Sequence, residues 1–410
     1  MAFRLIISFF LILLSLRQIY FPVTEETKTN DFKLGNEVLL ESKLDELKNK
    51  NIALVTNQTG ILSDGTHVID ALVAKGFNVV KIFTPEHGIR GDENYSDKDE
   101  KTGIPIVSIY GINVKPSAND LSNIDIIVYD IQDVGARFYT YTSTLYYVLE
   151  SAVENNKKLI VCDRPEIINP NYVDGFMLQD GFESFVGKIP TPICYGMTCG
   201  EFAQYLKDDI NFKSNVLEVV KMQNYSRSVD YESLKLKWVK PSPNMFFPST
   251  AVVYPGTCFI EGTNVSEGRG TQKPFEYIGA PWCRGDELAS ELNSYGLKGV
   301  KFEPIAFTPS EKISSYPPKF FGKKCNGVYI NVTDKNKFEA VKAGIAILVS
   351  FKKLFTQFEF RKDNYIDKLA GTDKLRKSIM NGDDYNSIIN SWDEDLEQYK
   401  NLRSRYLLYN

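Results

Sequence analysis

Hydrophobic and polar positions along the chain alternate between two periods. Val38 to Leu47 carries Leu39, Leu40, Leu44 and Leu47 at helical spacing. Asn51 to Thr56 is a short apolar run that reads as a strand. His67 to Ala74 returns to the helical period, with Val68, Ile69, Leu72 and Val73 as its apolar face. Further strands are predicted at Val79 to Phe83, Ile104 to Ile109, Ile124 to Ile131 and Leu159 to Cys162, with a helix at Thr144 to Asn155. Short apolar strands separated by helices predict an α/β fold, here a Rossmann-like parallel sheet with helices on both faces.

Polar residues fall at the ends of those strands. Asn57-Gln58-Thr59-Gly60 follows the first, Thr84-Pro85-Glu86-His87-Gly88-Ile89-Arg90-Gly91 the second and Tyr110-Gly111 the third. Asp130 to Arg137, with Gln132 and Asp133, follows the fourth, and Asp163-Arg164-Pro165 the fifth. In an open parallel sheet these ends share one edge, which is where ligands bind. Glu86, beside His87 and Arg90, is the first candidate for acid–base work. The alternative for this stretch is a polar turn with a helix cap. Of Asp130 and Asp133, at least one is expected to cap a helix or pair with Arg137. Tyr139 and Tyr141 offer ring faces and hydroxyls suited to a sugar, whereas Phe138 is expected in the core.

The second half opens with a T-x-x-E capping box at Thr198 and Glu201. A Pro-rich crossing, Trp238 to Asn244, is expected to separate two domains, 34–238 and a smaller α/β domain, 239–410. A second dense cluster runs from Tyr254 through Glu261, Asn264, Glu267, Arg269 and Gly270 to Glu276. Its glycines imply close backbone approach, and its Arg suits a ligand carboxylate; the plainer alternative is a solvated loop. Helices are predicted at Asp286 to Ser294 and Phe338 to Phe351, and strands at Lys301 to Phe307 and Gly327 to Val332. The acidic, aromatic tail, Asp383 to Tyr409, is expected to be helical and to pack on the outside. No catalytic signature is evident after about residue 325.

Composition narrows the classes. The chain has 410 residues, 43% hydrophobic and 24% charged, and a net charge of −4 gives no reason to expect nucleic-acid binding. No GxGxxG or GxxxxGKS is present, which counts against a nucleotide, and no cofactor is expected. No GxSxG elbow appears. Two histidines, His67 and His87, and no HExxH make a histidine-rich metal site improbable. The six cysteines show no CxxC pair and are expected as buried thiols, a Cys194–Cys199 bridge being the alternative. At the N-terminus Arg4 precedes an apolar run, 5–16, of secretory-signal length. Residues 1–20 are therefore expected as a signal peptide or uncleaved membrane anchor and 21–33 as a linker, which makes the protein extracytoplasmic.

Taken together, TNQTG, FTPEHGIRG, DIQDVGARFYTY, DRP, YGMTCGE, PSPNM, YPGTCFIEGTNVSEGRGT and PFEYIGAPW occur in an order that resembles the exo-β-N-acetylmuramidases. The likeness runs from about Leu34 to Leu402. It implies an exported glycosidase that releases N-acetylmuramic acid from non-reducing ends of peptidoglycan fragments, with a cleft between a Rossmann-like domain and a smaller one. The family motif carries Glu86, the expected general acid. Glu267 and Glu261, then Asp130 and Asp133, are candidates for the second carboxyl group, and the substrate's N-acetyl group is an alternative. An acid on the glycine-rich loop is expected to need that loop to close. Arg269, Arg137 or Arg164 is expected to hold the lactyl carboxylate. Asn57, Gln58, Gln132, Asn244 and Asn264 complete the expected substrate contacts. The rivals are a two-lobed, non-catalytic binder of cell-wall sugars and an acyl or amide hydrolase, the latter lacking a Cys–His or Ser–His signature.

Overall fold

The computed structural model describes residues 32–91, 96–209, 215–311 and 317–410. The expected signal or anchor, and nearly all of the linker, lie outside these residues.

Six strands form one wholly parallel sheet: β1 (Ile52–Thr56), β2 (Val79–Thr84), β3 (Ile106–Ser108), β4 (Ile126–Asp130), β5 (Lys158–Cys162) and β6 (Leu217–Val220). Their order is β3-β2-β1-β4-β5-β6, the doubly wound arrangement. Successive residues on a strand face opposite ways, so two cores form. Ala53 and Val55 on β1, with Ile127 and Tyr129 on β4, enter one core; Ile52, Leu54, Ile126 and Val128 enter the other. Burial on both faces explains why these strands read as continuous apolar runs.

A smaller antiparallel sheet, β7 (Tyr277–Ala280), β8 (Val300–Phe307) and β9 (Cys325–Val332), has the order β7-β9-β8. The helices Pro248–Thr257 and Ala340–Leu354 cross beside it at two glycines. A Cβ on Gly256 would lie 1.9 Å from Ala340 O, and one on Gly344 2.3 Å from Gly256 O. The Ala53 face of the large sheet and the apolar side chains of these helices form one continuous core.

Several elements differ from expectation. The first helix is interrupted, as Gly35–Ser42 and Leu44–Leu47. β6 and β7 were not anticipated, because four residues carry too little periodicity. Tyr254-Pro255-Gly256 ends a helix rather than beginning a loop. The capping box is present: Thr198 N donates to Glu201 Oε2 at 3.0 Å and Glu201 N to Thr198 Oγ1 at 3.2 Å. All six cysteines are buried and free, so Cys194 and Cys199 are not bridged. The tail does not lie on the outside. Trp392, Tyr399 and Tyr409 are buried, and Trp392 Nε1 donates to Asp174 Oδ1 at 3.0 Å.

Candidate active site

At the C-terminal edge of the parallel sheet, the loops after β2, β3 and β4 face the second half of the chain across a cavity of about 920 Å³. The sheet supplies Glu86, His87, Tyr110, Thr140 and the rings of Tyr139 and Tyr141. The second half supplies Asn244, Tyr254, Glu261, Glu267, Arg269 and Phe275, then Lys319 and Arg361. By contrast, the crevice beside Thr59, Gln132 and Arg164, near the β1–β4 switch point, holds only about 20 Å³.

Glu86 lies two residues beyond the end of β2, after Pro85. Its successors His87 and Gly88 have φ of 76° and 75°, and a left-handed non-glycine residue is uncommon enough to mark a position fixed by its surroundings. Thr140 Oγ1 lies 3.5 Å from Glu86 Oε2, His87 Nε2 lies 4.0 Å from Oε1, and Tyr110 bonds to the same carboxyl. Burial pushes the Glu86 carboxyl above its ordinary value. The Glu261 charge pushes the same way, while Tyr110, Arg269 and Thr140 offset part of the rise.

Across the cavity, Arg269 Nη2 lies 2.6 Å from Glu261 Oε1, and its Nε 3.3 Å from Glu267 Oε1. Lys319 Nζ lies 3.0 Å from Glu267 Oε2 and donates to Ile260 O and Val265 O at 2.8 and 2.9 Å. Burial alone would raise the Glu267 carboxyl; Lys319 and Arg269 outweigh it and hold the group below its usual range. The guanidinium of Arg269 also covers the Phe275 ring at 5.0 Å.

The glycines of this loop answer to packing. Gly268 and Gly270 have φ of 74° and 77°, and a Cβ on either would come 2.6 Å from Tyr277 O or Pro318 Cγ. Ser266 pairs with Gly279 on β7, and Phe275 N donates to Glu267 O at 2.6 Å. The loop is thus neither solvated nor open. Its two glutamates line the cavity together with Glu86.

Other expected contacts have different partners. Arg164 is buried, with Nε 2.6 Å from Asp130 Oδ1 and Nη2 3.0 Å from Oδ2; Asn36 Nδ2 adds a third bond to that carboxylate at 3.0 Å. Arg137 meets no carboxylate. It donates to Phe176 O, Thr191 O, Leu369 O and Ala370 O, capping the helix Tyr365–Ala370, and burial lowers it to about 9. Neither guanidinium lines the cavity, so neither holds a ligand carboxylate there. Arg90 is gripped by Asp70 and Asp99. Asp133 accepts from Tyr195 Oη and from Gly135 N, and burial pushes it up to about 6. Asp130 and Asp133 therefore serve the framework. Gln132 donates to Pro165 O and Gln58 to Lys240 O. Asn57 donates to Tyr141 Oη at 2.7 Å and so supports the cavity wall from behind. His67 Nδ1 accepts from Ile69 N and its Nε2 faces Asn57 O, the arrangement of a neutral ring.

Asn264 ties two segments: its Nδ2 donates to Gln357 O and its Oδ1 accepts from Glu359 N. That pairing, with Arg361 N donating to Gly262 O, brings Arg361 to the cavity, past the point where catalytic residues were expected to stop. Lys319 and Arg361 gave no signal in sequence. Tyr110 did, as the residue closing a strand, although its bond to Glu86 was not foreseeable.

An α/β protein with a parallel and a smaller antiparallel sheet, and with acids, cations and aromatic rings facing one another across a cavity at the parallel sheet's edge, is the class this geometry defines. The chain belongs to the exo-beta-N-acetylmuramidase NamZ family: residues 52–249 match its N-terminal part and 252–409 its C-terminal part. It is 41% identical over 392 residues to the peptidoglycan beta-N-acetylmuramidase NamZ of Bacillus subtilis (strain 168), covering 94% of this chain and 93% of that protein. Two crystal structures of DUF1343 family proteins from Bacteroides fragilis NCTC 9343 are similar, each 33% identical. Their TM-scores are 0.86 and 0.76; the likeness covers 92% and 93% of this chain and 99% of each of theirs.

Proposed function

We propose that this chain is an exo-acting glycoside hydrolase that releases N-acetylmuramic acid from the non-reducing ends of peptidoglycan fragments, with Glu86 as general acid. The observation that carries the acid assignment is one desolvated carboxyl group in a cavity whose other glutamates are paired with cations. Glu86 is desolvated and pushed toward its protonated form, while Glu267 is held ionised by two cations.

Glu86 donates its proton to the departing glycosidic oxygen as its bond to the anomeric carbon breaks; water adds to that carbon in its place and releases a proton, which restores the acid. Glu261 lines the same cavity, its charge raises the Glu86 carboxyl, and it balances positive charge developing on the sugar ring. Glu267 holds Arg269 and Lys319 in place. Tyr139, Tyr141 and Tyr254 form the wall against which the sugar lies. The lactyl carboxylate pairs with Arg361, whose bond to Asp363 is solvent-exposed and readily exchanged. The apolar run 5–16, of secretory-signal length, supports export as a signal peptide or an uncleaved anchor, with the activity outside the cytoplasm.

The test is release of chromophore from a β-linked N-acetylmuramic acid glycoside, beside the N-acetylglucosamine analogue and the Glu86→Gln variant. Turnover of the muramic substrate alone, abolished in the variant, supports both enzyme and acid. Binding without release would instead make the chain a sugar-binding protein, and full activity in the variant would remove Glu86 from its role. Fractionation of cells carrying the full chain tests export.

A further inference from the structure

Aromatic surface continues beyond Tyr110. The Phe185 ring centroid lies 5.6 Å from that of Tyr110, and Tyr147 follows 6.2 Å from Phe185 with planes only 12° apart. All three side chains are half-buried and keep part of their surface in solvent. They come from three separate places: the start of the loop after β3, a hairpin, and the helix Tyr141–Glu154. Lys188 Nζ, 5.8 Å from the Tyr147 centroid and 5.3 Å from that of Tyr146, borders the far end.

The hairpin is unusual in sequence. Ser184 and Gly187 exchange backbone hydrogen bonds of 2.8 and 3.1 Å, which leaves Phe185 and Val186 as its two central residues. Tight turns favour Gly, Asn, Asp, Pro or Ser at such positions. Val186 packs on the core, but Phe185 instead meets the rings of Tyr110 and Tyr147. A residue that departs from turn chemistry without joining the core points to a role outside folding.

We infer that Tyr110, Phe185 and Tyr147 form a platform for the saccharide on the leaving side of the scissile bond. The inference rests on the muramidase assignment above. A general acid stands beside the oxygen of the departing sugar, and Tyr110 is bonded to the carboxyl of Glu86. The departing chain therefore leaves the cavity over Tyr110 and onto Phe185 and Tyr147. Pyranose rings lay their C–H faces on such surfaces, while their hydroxyls stay in water. The platform makes a fragment with a sugar on the leaving side a better substrate than a muramic acid carrying a small leaving group.

The experiment compares two substrates: N-acetyl-β-muramyl fluoride, which places nothing on the platform, and the N-acetylmuramic acid–N-acetylglucosamine disaccharide. Phe185→Ala and Tyr147→Ala are expected to leave fluoride turnover within about twofold and to lower kcat/KM for the disaccharide about tenfold, mainly through KM. Phe185→Tyr is expected to restore the loss. Equal losses on both substrates, or no loss on the disaccharide, would overturn the platform while leaving the muramidase intact. If the unaltered chain turns over neither substrate, the muramidase assignment fails and the platform falls with it. Fluoride turnover in each variant reports directly that the fold and cavity survive.

Discussion

Arg269 Nη2 lies 2.6 Å from Glu261 Oε1, and the charges of both residues reach Glu86 with opposite sign. Arg269 lowers the pKa of Glu86 and Glu261 raises it. A general acid works only while protonated, so activity falls as pH rises through its pKa. Glu261→Gln is expected to move the alkaline limb of kcat/KM toward lower pH, and Arg269→Gln to move it higher, each by about one unit. Glu86→Gln is expected to lower kcat by about 10²–10⁴ at every pH. Limbs that stay in place in both charge variants would show that the titrating group lies elsewhere.

Specificity for muramic acid over glucosamine requires a cation for the lactyl carboxylate. Arg137 and Arg164 are committed to carbonyls and to Asp130, and Arg269 lies between two glutamates. Arg361 has a weaker hold, on exposed Asp363. Arg361→Gln is expected to cost about 2–5 kcal/mol in kcat/KM for the muramic glycoside, and to leave the slow reaction of its lactyl methyl ester unchanged. An equal loss on acid and ester would assign Arg361 to structure.

Stability carries a pH signature of its own. Burial pushes Asp163 up to about 6 and Glu166 up to about 8, both above the range of an unfolded carboxyl. Between the unfolded and folded values the folded chain binds protons that the unfolded chain has released, so stability falls as pH rises through that window. The urea midpoint is therefore expected to climb from pH 8 to pH 5. Glu166→Gln is expected to flatten the part of that climb above pH 6, and a slope unchanged in the variant would contradict the assignment.

Much of the first half was legible because parallel strands buried on both faces are continuous apolar runs, and because polar clusters at their ends share an edge. Glu86, Tyr139 and Tyr141 meet in the cavity for that reason, whereas Glu261, Glu267 and Arg269 reach it from the glycine-rich loop before β7, across the cavity. Partner choice was not legible. Nothing local distinguishes Arg269, aimed into the cavity, from Arg137, which caps a helix more than two hundred residues later in the chain. Lys319 and Arg361 reach the site only through long-range pairing, which leaves no periodic trace.

The tail shows the same limit from the other end of the chain. Its acidic residues suggested an exterior helix, yet Tyr409 Oη donates to Asp163 Oδ2 at 2.6 Å and accepts from Met222 N at 2.9 Å. Asp163 closes β5 and also accepts from Thr198 Oγ1 and Gly200 N. Tyr409 therefore clasps the chain terminus to the large sheet. Removing one partner of a buried bond to a carboxyl costs about 1–3 kcal/mol. Tyr409→Phe is expected to lose that amount in urea unfolding. Because the hydroxyl also holds the Asp163 pKa down, the variant is expected to lose more at pH 8 than at pH 5. Activity on the chromogenic glycoside is expected to persist below the unfolding transition, since Tyr409 does not line the cavity. A loss of stability independent of pH would show that the ring, and not its bond to Asp163, anchors the tail.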